Sequence, residues 1–326
     1  MSTFKEIRGT LIKSVSSDPA NPELGEIWYN NTIGVLKGKL YVAAAWASGG
    51  TLNTAIYSAG GAGTQTAGLK FGGGTGAAIS TADTEEYNGT SWSEQNNLTT
   101  GRRYTSGCGT QTAGLCVAGL IRSAPNDSTA AVEEYGGTSW TAGGAYPTLF
   151  TALVSVGIQT SALSFGGNGS GTTNEYNGSS WTSGGSMSTS RNYGGGAGTQ
   201  TAGLSLGGKT GSPETSTNAT EEYDGSSWTA GGNLNTARNV LAGAGLQTLG
   251  LAFGGNTGLG TGTTTAAEKY DGSSWTTTSS LATARSYIAG CGTQTLGLAF
   301  GGSPINGATE EFTDIIDETQ TLTTST

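Results

Sequence analysis

Short apolar runs, each closed by glycines and followed by a polar stretch, recur along this chain at a steady interval. Residues 238–275 show one period most clearly. The run 239–246, NVLAGAGL, predicts a first strand, with small residues where the chain is crowded. Gln247-Thr248-Leu249-Gly250 predicts a turn. Leu251-Ala252-Phe253, leading into Gly254-Gly255, predicts a second strand. After an irregular stretch, Glu268-Lys269-Tyr270 predicts a third. Asp271-Gly272 is a strong hairpin signal, and Ser274-Trp275-Thr276 completes the unit as a fourth strand. Residues 277–285 then read as a linker to the next unit.

Two marks keep the same beat. Tyr and Trp stand five residues apart at Tyr87/Trp92, Tyr135/Trp140, Tyr176/Trp181, Tyr223/Trp228 and Tyr270/Trp275, with Tyr41/Trp46 in front. Gly-x-Gln-Thr recurs around Gln65, Gln111, Gln159, Gln200, Gln247 and Gln294. A repeat of about 40–50 residues built from several short strands is the signature of a propeller blade. Gly-Gly doublets close the second strand at Gly72, Gly166, Gly207, Gly254 and Gly301, and Ala118-Gly119 stands in the second copy. An apolar strand ending in Gly-Gly, a Tyr, a Trp five residues on and an Arg before the next strand together resemble the kelch repeat, over residues 41–312. The resemblance implies an all-β, six-bladed kelch-like β-propeller with four antiparallel strands per blade.

The ends of the pattern predict how such a ring closes. The last copy has Phe312 in place of Tyr and no Trp after it, while Trp46 stands before the first copy. A ring closed by the N-terminal strand leaves no open sheet edge. The expected division is therefore 1–40 as an N-terminal segment with a short hairpin, 41–313 as the propeller, and 314–326 as a polar C-terminal tail.

Composition narrows the chemistry. Charged residues make up 11% of the chain, far below the usual ~25%. There are 58 glycines, which suit tight turns, and no histidine. The missing histidine excludes Ser/His and Cys/His nucleophiles. It also excludes the copper chemistry of some kelch propellers, so the chain is expected to be no enzyme and to carry no cofactor. A net charge of −9 without a basic stripe argues against nucleic acid. No run approaches 18 apolar residues, so no membrane insertion is expected. The start MSTFKEIRGTLIKS lacks the features of a signal peptide. Cys108 and Cys291 share a repeat position held elsewhere by Ala62, Val156, Ala197 and Ala244, and with Cys116 they read as buried free thiols. Asn-x-Ser/Thr triplets at Asn88 and Asn177 read as turn residues.

Candidate site residues follow the repeat or break it. Arg102, Arg191, Arg238 and Arg285 stand nine residues before the Gln, with Ile56 and Phe150 in the other copies. They could line a channel mouth as surface-binding groups, or pair with carboxylates inside the blades. Adjacent acids recur at Glu85-Glu86, Glu133-Glu134, Glu221-Glu222 and Glu310-Glu311. Neighbours on a strand face opposite ways, so such a pair cannot serve one substrate. The third copy loses both partners, with Phe150 and Asn174, which agrees with an Arg–Glu pair. The stretches 74–84, 120–132, 168–174, 209–220, 256–267 and 303–309 escape the repeat. All are expected on one face, where Asn126 and Asp127 are further surface-binding candidates.

Residues 1–40 lie outside the repeat. Pro-x-x-Gly-x-Ile-Trp-Tyr-Asn at Pro22–Asn30, followed by Gly34-Val35-Leu36-Lys37, resembles the N-terminal segment of bacteriophage tail-fibre and other virion proteins. That resemblance implies a virion structural protein, assembled in the host cytoplasm and attached to other virion proteins through residues 1–40. Phe4, Ile7, Leu11, Trp28 and Tyr29 are the expected attachment residues. The propeller would then contact a host-surface glycan or another virion protein, and a homo-oligomer is a further expected partner. The alternative is a bacterial kelch-type adhesin or scaffold. A third class, a glycan-cleaving enzyme, rests only on irregular-loop acids such as Asp83, Asp127 and Glu214.

Overall fold

The computed structural model describes residues 12–20, 22, 25–76, 79–121, 127–258, 262–314 and 316–322. Among them the chain is all-β. Two compact units emerge, one from residues 1–44 with 314–326 and one spanning Ala45–Thr313.

Within Ala45–Thr313, six four-stranded antiparallel sheets follow the sequence period. Sheet one holds Gly60–Thr64, Ala67–Phe71, Thr84–Tyr87 and Trp92–Gln95. Sheet two holds Ser106–Gly109, Gly114–Leu120, Ser128–Tyr135 and Trp140–Ala142. Sheet three holds Val154–Ile158, Ser161–Phe165, Thr173–Tyr176 and Trp181–Ser183. Sheet four holds Gly195–Gly198, Gly203–Leu206, Thr220–Tyr223 and Trp228–Ala230. Sheet five holds Ala242–Leu246, Leu249–Phe253, Ala267–Tyr270 and Trp275–Thr278. Sheet six takes Ala289–Gly292, Leu296–Phe300 and Thr309–Thr313 from the end of the unit, and its fourth strand is Ala45–Ser48. The arrangement is consistent with a β-propeller-like fold.

The five-residue Tyr–Trp spacing has a local cause. Tyr87 faces Trp92 across the third and fourth strands, joined by a four-residue turn. Asn88 Oδ1 holds that turn by accepting from the amides of Thr90 and Ser91, both at 2.9 Å. Asn177, Asp224 and Asp271 hold the same turn in later sheets. Trp46 obeys the same register through a partner far along the chain, facing Phe312. Tyr41 is therefore not its partner. It lies in a strand of the other unit, opposite Asp317, and its spacing from Trp46 is a coincidence of sequence.

Glycine lets the first strands crowd together. A Cβ on Gly243 would stand 2.5 Å from the carbonyl oxygen of Gly196 in the preceding sheet, and one on Gly107 would stand 2.2 Å from the Phe71 ring. Between sheets, buried aromatic and aliphatic side chains form the core, such as Leu204, Leu206, Leu234, Ala252, Tyr270 and Trp275.

The smaller unit is a sheet of Lys13–Val15, Ile27–Asn30, Val35–Val42 and Ile316–Thr321. The expected hairpin forms, with Tyr29 opposite Leu36 and Asn30 opposite Val35. Residues 316–321, expected as part of a polar tail, instead pair antiparallel with residues 37–42. The hydroxyl-rich composition of the segment conceals its strand propensity, and the open edge of Val35–Val42 supplies the pairing groups.

Candidate functional site

Most chemistry-bearing residues of the repeat are consumed in holding the sheets. Each Gln sends its side-chain amide to two carbonyls of the preceding sheet: Gln111 to Gly68 and Tyr87 at 3.1 and 2.7 Å, Gln247 to Gly203 and Tyr223 at 3.1 and 2.6 Å. Gln65 of sheet one reaches Gly297 and Phe312 of sheet six in the same way. The indoles are anchored too. Trp92, Trp140, Trp228 and Trp275 donate to Thr309, Thr84, Thr173 and Thr220 of the preceding sheet. Where that Thr is replaced by Val132 or Ala267, the indoles of Trp181 and Trp46 turn to the carbonyls of Gly144 and Ser279.

The paired acids divide their labour, as opposite strand faces require. The first acid of each pair is buried with a cation of its own sheet: Arg102–Glu133, Arg191–Glu221, and Arg238–Glu268 and Arg285–Glu310, both at 2.7 Å. Burial pulls the Arg191, Arg238 and Arg285 guanidinium pKa below its usual range, and the facing carboxylate opposes that shift. Sheet one has Ile56 in place of the Arg, and Lys70 from its second strand reaches Glu85 at 3.1 Å instead. In sheet three the charges vanish together, and Asn174 donates to the Tyr146 hydroxyl at 2.9 Å. The second acid accepts a tyrosine hydroxyl from the next sheet: Tyr135 to Glu86, Tyr176 to Glu134, Tyr223 to Glu175, Tyr270 to Glu222 and Tyr87 to Glu311, at 2.5–2.8 Å. In the sixth case the ring is Phe312, which has no hydroxyl, and the residue at the acceptor position is Lys269.

The four arginines are thus 0–2% exposed and ion-paired, so they do not form a surface-binding set. A guanidinium this deep needs its carboxylate, and the repeat supplies one in the same sheet. Asp127 is partly exposed, and its backbone carbonyl accepts from Ile121. Asn126, Phe4, Ile7 and Leu11 lie outside the described residues. Trp28, expected as an attachment residue, is fully buried in the smaller unit, and its indole donates to Asp18 at 3.1 Å. Hydrogen bonds from Lys37, Asn30 and Trp28 hold the Asp18 carboxyl at about 2. Tyr29 is 40% exposed.

What the repeat leaves unspent gathers where the linkers enter the first strands. Ser58, Tyr104, Ala152, Tyr193, Val240 and Tyr287 occupy one repeat position, and all have φ between 48° and 57°. Left-handed backbone at a β-branched residue such as Val240 is strained. Backbone hydrogen bonds hold it there. Tyr104 N donates to Ser58 O, Ala152 to Tyr104, Tyr193 to Ala152, Val240 to Tyr193, Tyr287 to Val240, and Ser58 to Tyr287, at 2.7–3.1 Å. Large and small side chains alternate along this cycle. Tyr57 supplies a fourth ring, packed on Tyr104 and Tyr287, which also contact each other and Tyr193, with centroids 5.7–6.2 Å apart and the rings edge to face. Burial pushes the Tyr104 and Tyr193 hydroxyls up to about 12, with neighbouring tyrosines adding to the effect.

Beside the first strands lies a cavity of about 140 Å³, lined by Ala59–Gly61 and the matching residues of the other five sheets. The irregular loops begin at this same end, because Tyr57, Arg103, Asn192, Asn239 and Ser286 bridge to Gly74, Leu120, Lys209, Asn256 and Ser303. Arg103 lies over the Tyr104 ring at 5.6 Å and Lys209 over Tyr193 at 5.2 Å. Glu214 reaches Lys209 at 3.7 Å and accepts from Asn192 at 3.0 Å. Among the described residues, no group of three or more Cys, Asp or Glu side chains could hold a metal ion.

Sequence reasoning missed this tyrosine cluster. The usable signal was a Tyr two residues after the linker Arg in alternate copies, at Tyr104, Tyr193 and Tyr287. No protein-family model matches the chain, and no curated protein does.

Proposed function

We propose that Ala45–Thr313 is a six-bladed, kelch-like β-propeller closed by its N-terminal strand, and that the protein is a non-enzymatic bacteriophage virion component. It would be a tail fibre, appendage or capsid decoration, attached through its N-terminal segment. The propeller would present its loop-bearing end to a host-surface glycan or to another virion protein. Closure is supported by the pairing of Trp46 with Phe312 and by the hydrogen-bond cycle through Ser58 and Tyr287. The virion assignment draws on the motif Pro22–Asn30.

One observation carries the display reading. Every repeated ion-pairing Arg and Glu is spent inside or between sheets, whereas the loop end carries tyrosines in alternate copies and a non-repeating set of amides and cations. A scaffold with constant internal chemistry and one variable end is suited to binding. The same observation disfavours catalysis by the repeated carboxylates, which are already bound to arginine, lysine or tyrosine.

Purified phage particles from the source genome provide the test. The protein should co-purify with particles in mass spectrometry, and antibody against it should decorate them in electron micrographs. Recovery in a bacterial surface fraction, with none on particles, would instead favour a kelch-type adhesin.

A further inference from the structure

We infer that the tyrosine-lined end of the first strands is a saccharide-binding site whose anchor is Arg103 and whose preferred ligand carries a sugar carboxylate. This rests on the display reading and names the ligand class. Arg103 differs from the four structural arginines. It is 5% exposed, and among the described residues it makes no ion pair and its Nε and Nη1 have no hydrogen-bond partner. Its backbone is fixed by two hydrogen bonds with Leu120, at 3.0 and 2.7 Å, and its guanidinium lies over the Tyr104 ring at 5.6 Å. A buried guanidinium without an acceptor is costly, and an entering carboxylate would remove that cost with charge-assisted hydrogen bonds.

The surroundings favour a sugar over a simple anion. Four partly exposed tyrosine rings offer apolar faces and hydroxyls together, which suits a pyranose with one apolar face and a polar rim. Among the described residues the buried acceptors Ser58 Oγ and Asn192 Oδ1 also lack partners, and sugar hydroxyls can donate to both. Lys209, over Tyr193, adds a second cation that Glu214, at 3.7 Å, partly neutralises, so Arg103 is the main anchor. The net charge of −9 does not oppose this at physiological salt, where charges beyond about 8 Å are screened.

The test is titration calorimetry of the full chain with glucuronate, a glucuronate-containing trisaccharide and the neutral glucose counterpart of that trisaccharide. The acidic trisaccharide should bind at least about tenfold tighter than the neutral one, since one charge-assisted contact contributes roughly that factor. Arg103→Met should abolish this preference, and Tyr193→Ala should weaken both trisaccharides. If Arg103→Met does not fold, Lys209→Met, at a more exposed position, should still reduce the preference. Free glucuronate binding as tightly as the trisaccharide would reassign the site to small carboxylates. Equal affinity for acidic and neutral sugars, no binding of either, or an Arg103→Met protein that keeps the preference would overturn the proposal. Incorporation into particles is scored separately. A protein that joins particles but binds no saccharide overturns the site alone, and one that binds the acidic sugar but is absent from particles overturns the display reading alone.

Discussion

Replacing Arg238 with methionine isolates what a repeated ion pair does for this protein. The guanidinium is fully buried. Its Nη2 donates to Glu268 at 2.7 Å, and its Nη1 donates to the carbonyls of Gly254 and Ala266 at 2.9 and 2.8 Å. Methionine fills similar space but, among the described residues, leaves the Glu268 carboxylate with only the Asn235 amide, at 2.7 Å. Stranding one member of a buried pair costs roughly 3–5 kcal/mol. The Ala266 carbonyl keeps a second donor in the Gly254 amide, whereas Gly254 O loses one, which adds about 1 kcal/mol. For a unit of this size the midpoint should fall by roughly 8–24 °C, at about 2–4 °C per kcal/mol. Urea titration followed by tryptophan fluorescence, with calorimetry beside it, gives the number. The double variant Arg238→Met/Glu268→Gln removes the stranded charge and should lie within about 2 kcal/mol of the parent. Sheet three is the natural precedent, because Phe150 and Asn174 replace both charges there and the sheet forms. If single and double variants are equally destabilised, the pairing is not what holds the site and the reasoning fails.

Four further outcomes follow from the same contacts. Trp228→Ala should cost about 3–5 kcal/mol, because the indole is buried against Phe165 and bonded to Thr173; unchanged urea stability would assign it elsewhere. Lys269→Glu with Phe312→Tyr should restore the missing inter-sheet bond and exceed the sum of the single changes by about 1 kcal/mol in a double-mutant cycle. Tyr87, Tyr104, Tyr193, Tyr223 and Tyr270 are all raised from 10.0 to about 12, so the unfolded chain releases these protons first. Stability contributed by the protonated rings is therefore complete below pH 10 and lost between about 10 and 12, and tyrosinate absorbance should rise together with unfolding. Burial pushes the Cys108 and Cys291 thiols up to about 12, so native protein should resist thiol reagents that label all three cysteines in urea.

The parts of the site that the sequence revealed are those that recur. The Arg–Glu pairing was legible because Phe150 and Asn174 depart from the pattern together. The Lys70–Glu85 pair was not legible, since Lys70, in the second strand, replaces an arginine lost from the linker before the first, at Ile56. The role of the second acids was equally hidden, because each partner tyrosine lies in the next sheet, 42–49 residues along the chain or, for Tyr87 and Glu311, 224 residues away. Arg103 stands beside Arg102 in sequence. Only the fold separates a paired structural cation from one left without an acceptor.

By itself the sequence determined what a strand and its immediate neighbour can express. It set the period, the four strands of each unit, the Asn/Asp turns that set Tyr opposite Trp, and the orphan Trp46 that needs a distant partner. Those features depend on contacts within a few residues, or on counting copies. The tertiary structure decided which residues meet between sheets. It brought Ser58, Tyr104, Ala152, Tyr193, Val240 and Tyr287 into one hydrogen-bond cycle, buried four arginines and left a fifth beside the tyrosines. It also paired residues 316–321 with a strand near the other end of the chain. Such contacts join residues tens to hundreds of positions apart, and a local pattern carries no record of which partner lies across the gap.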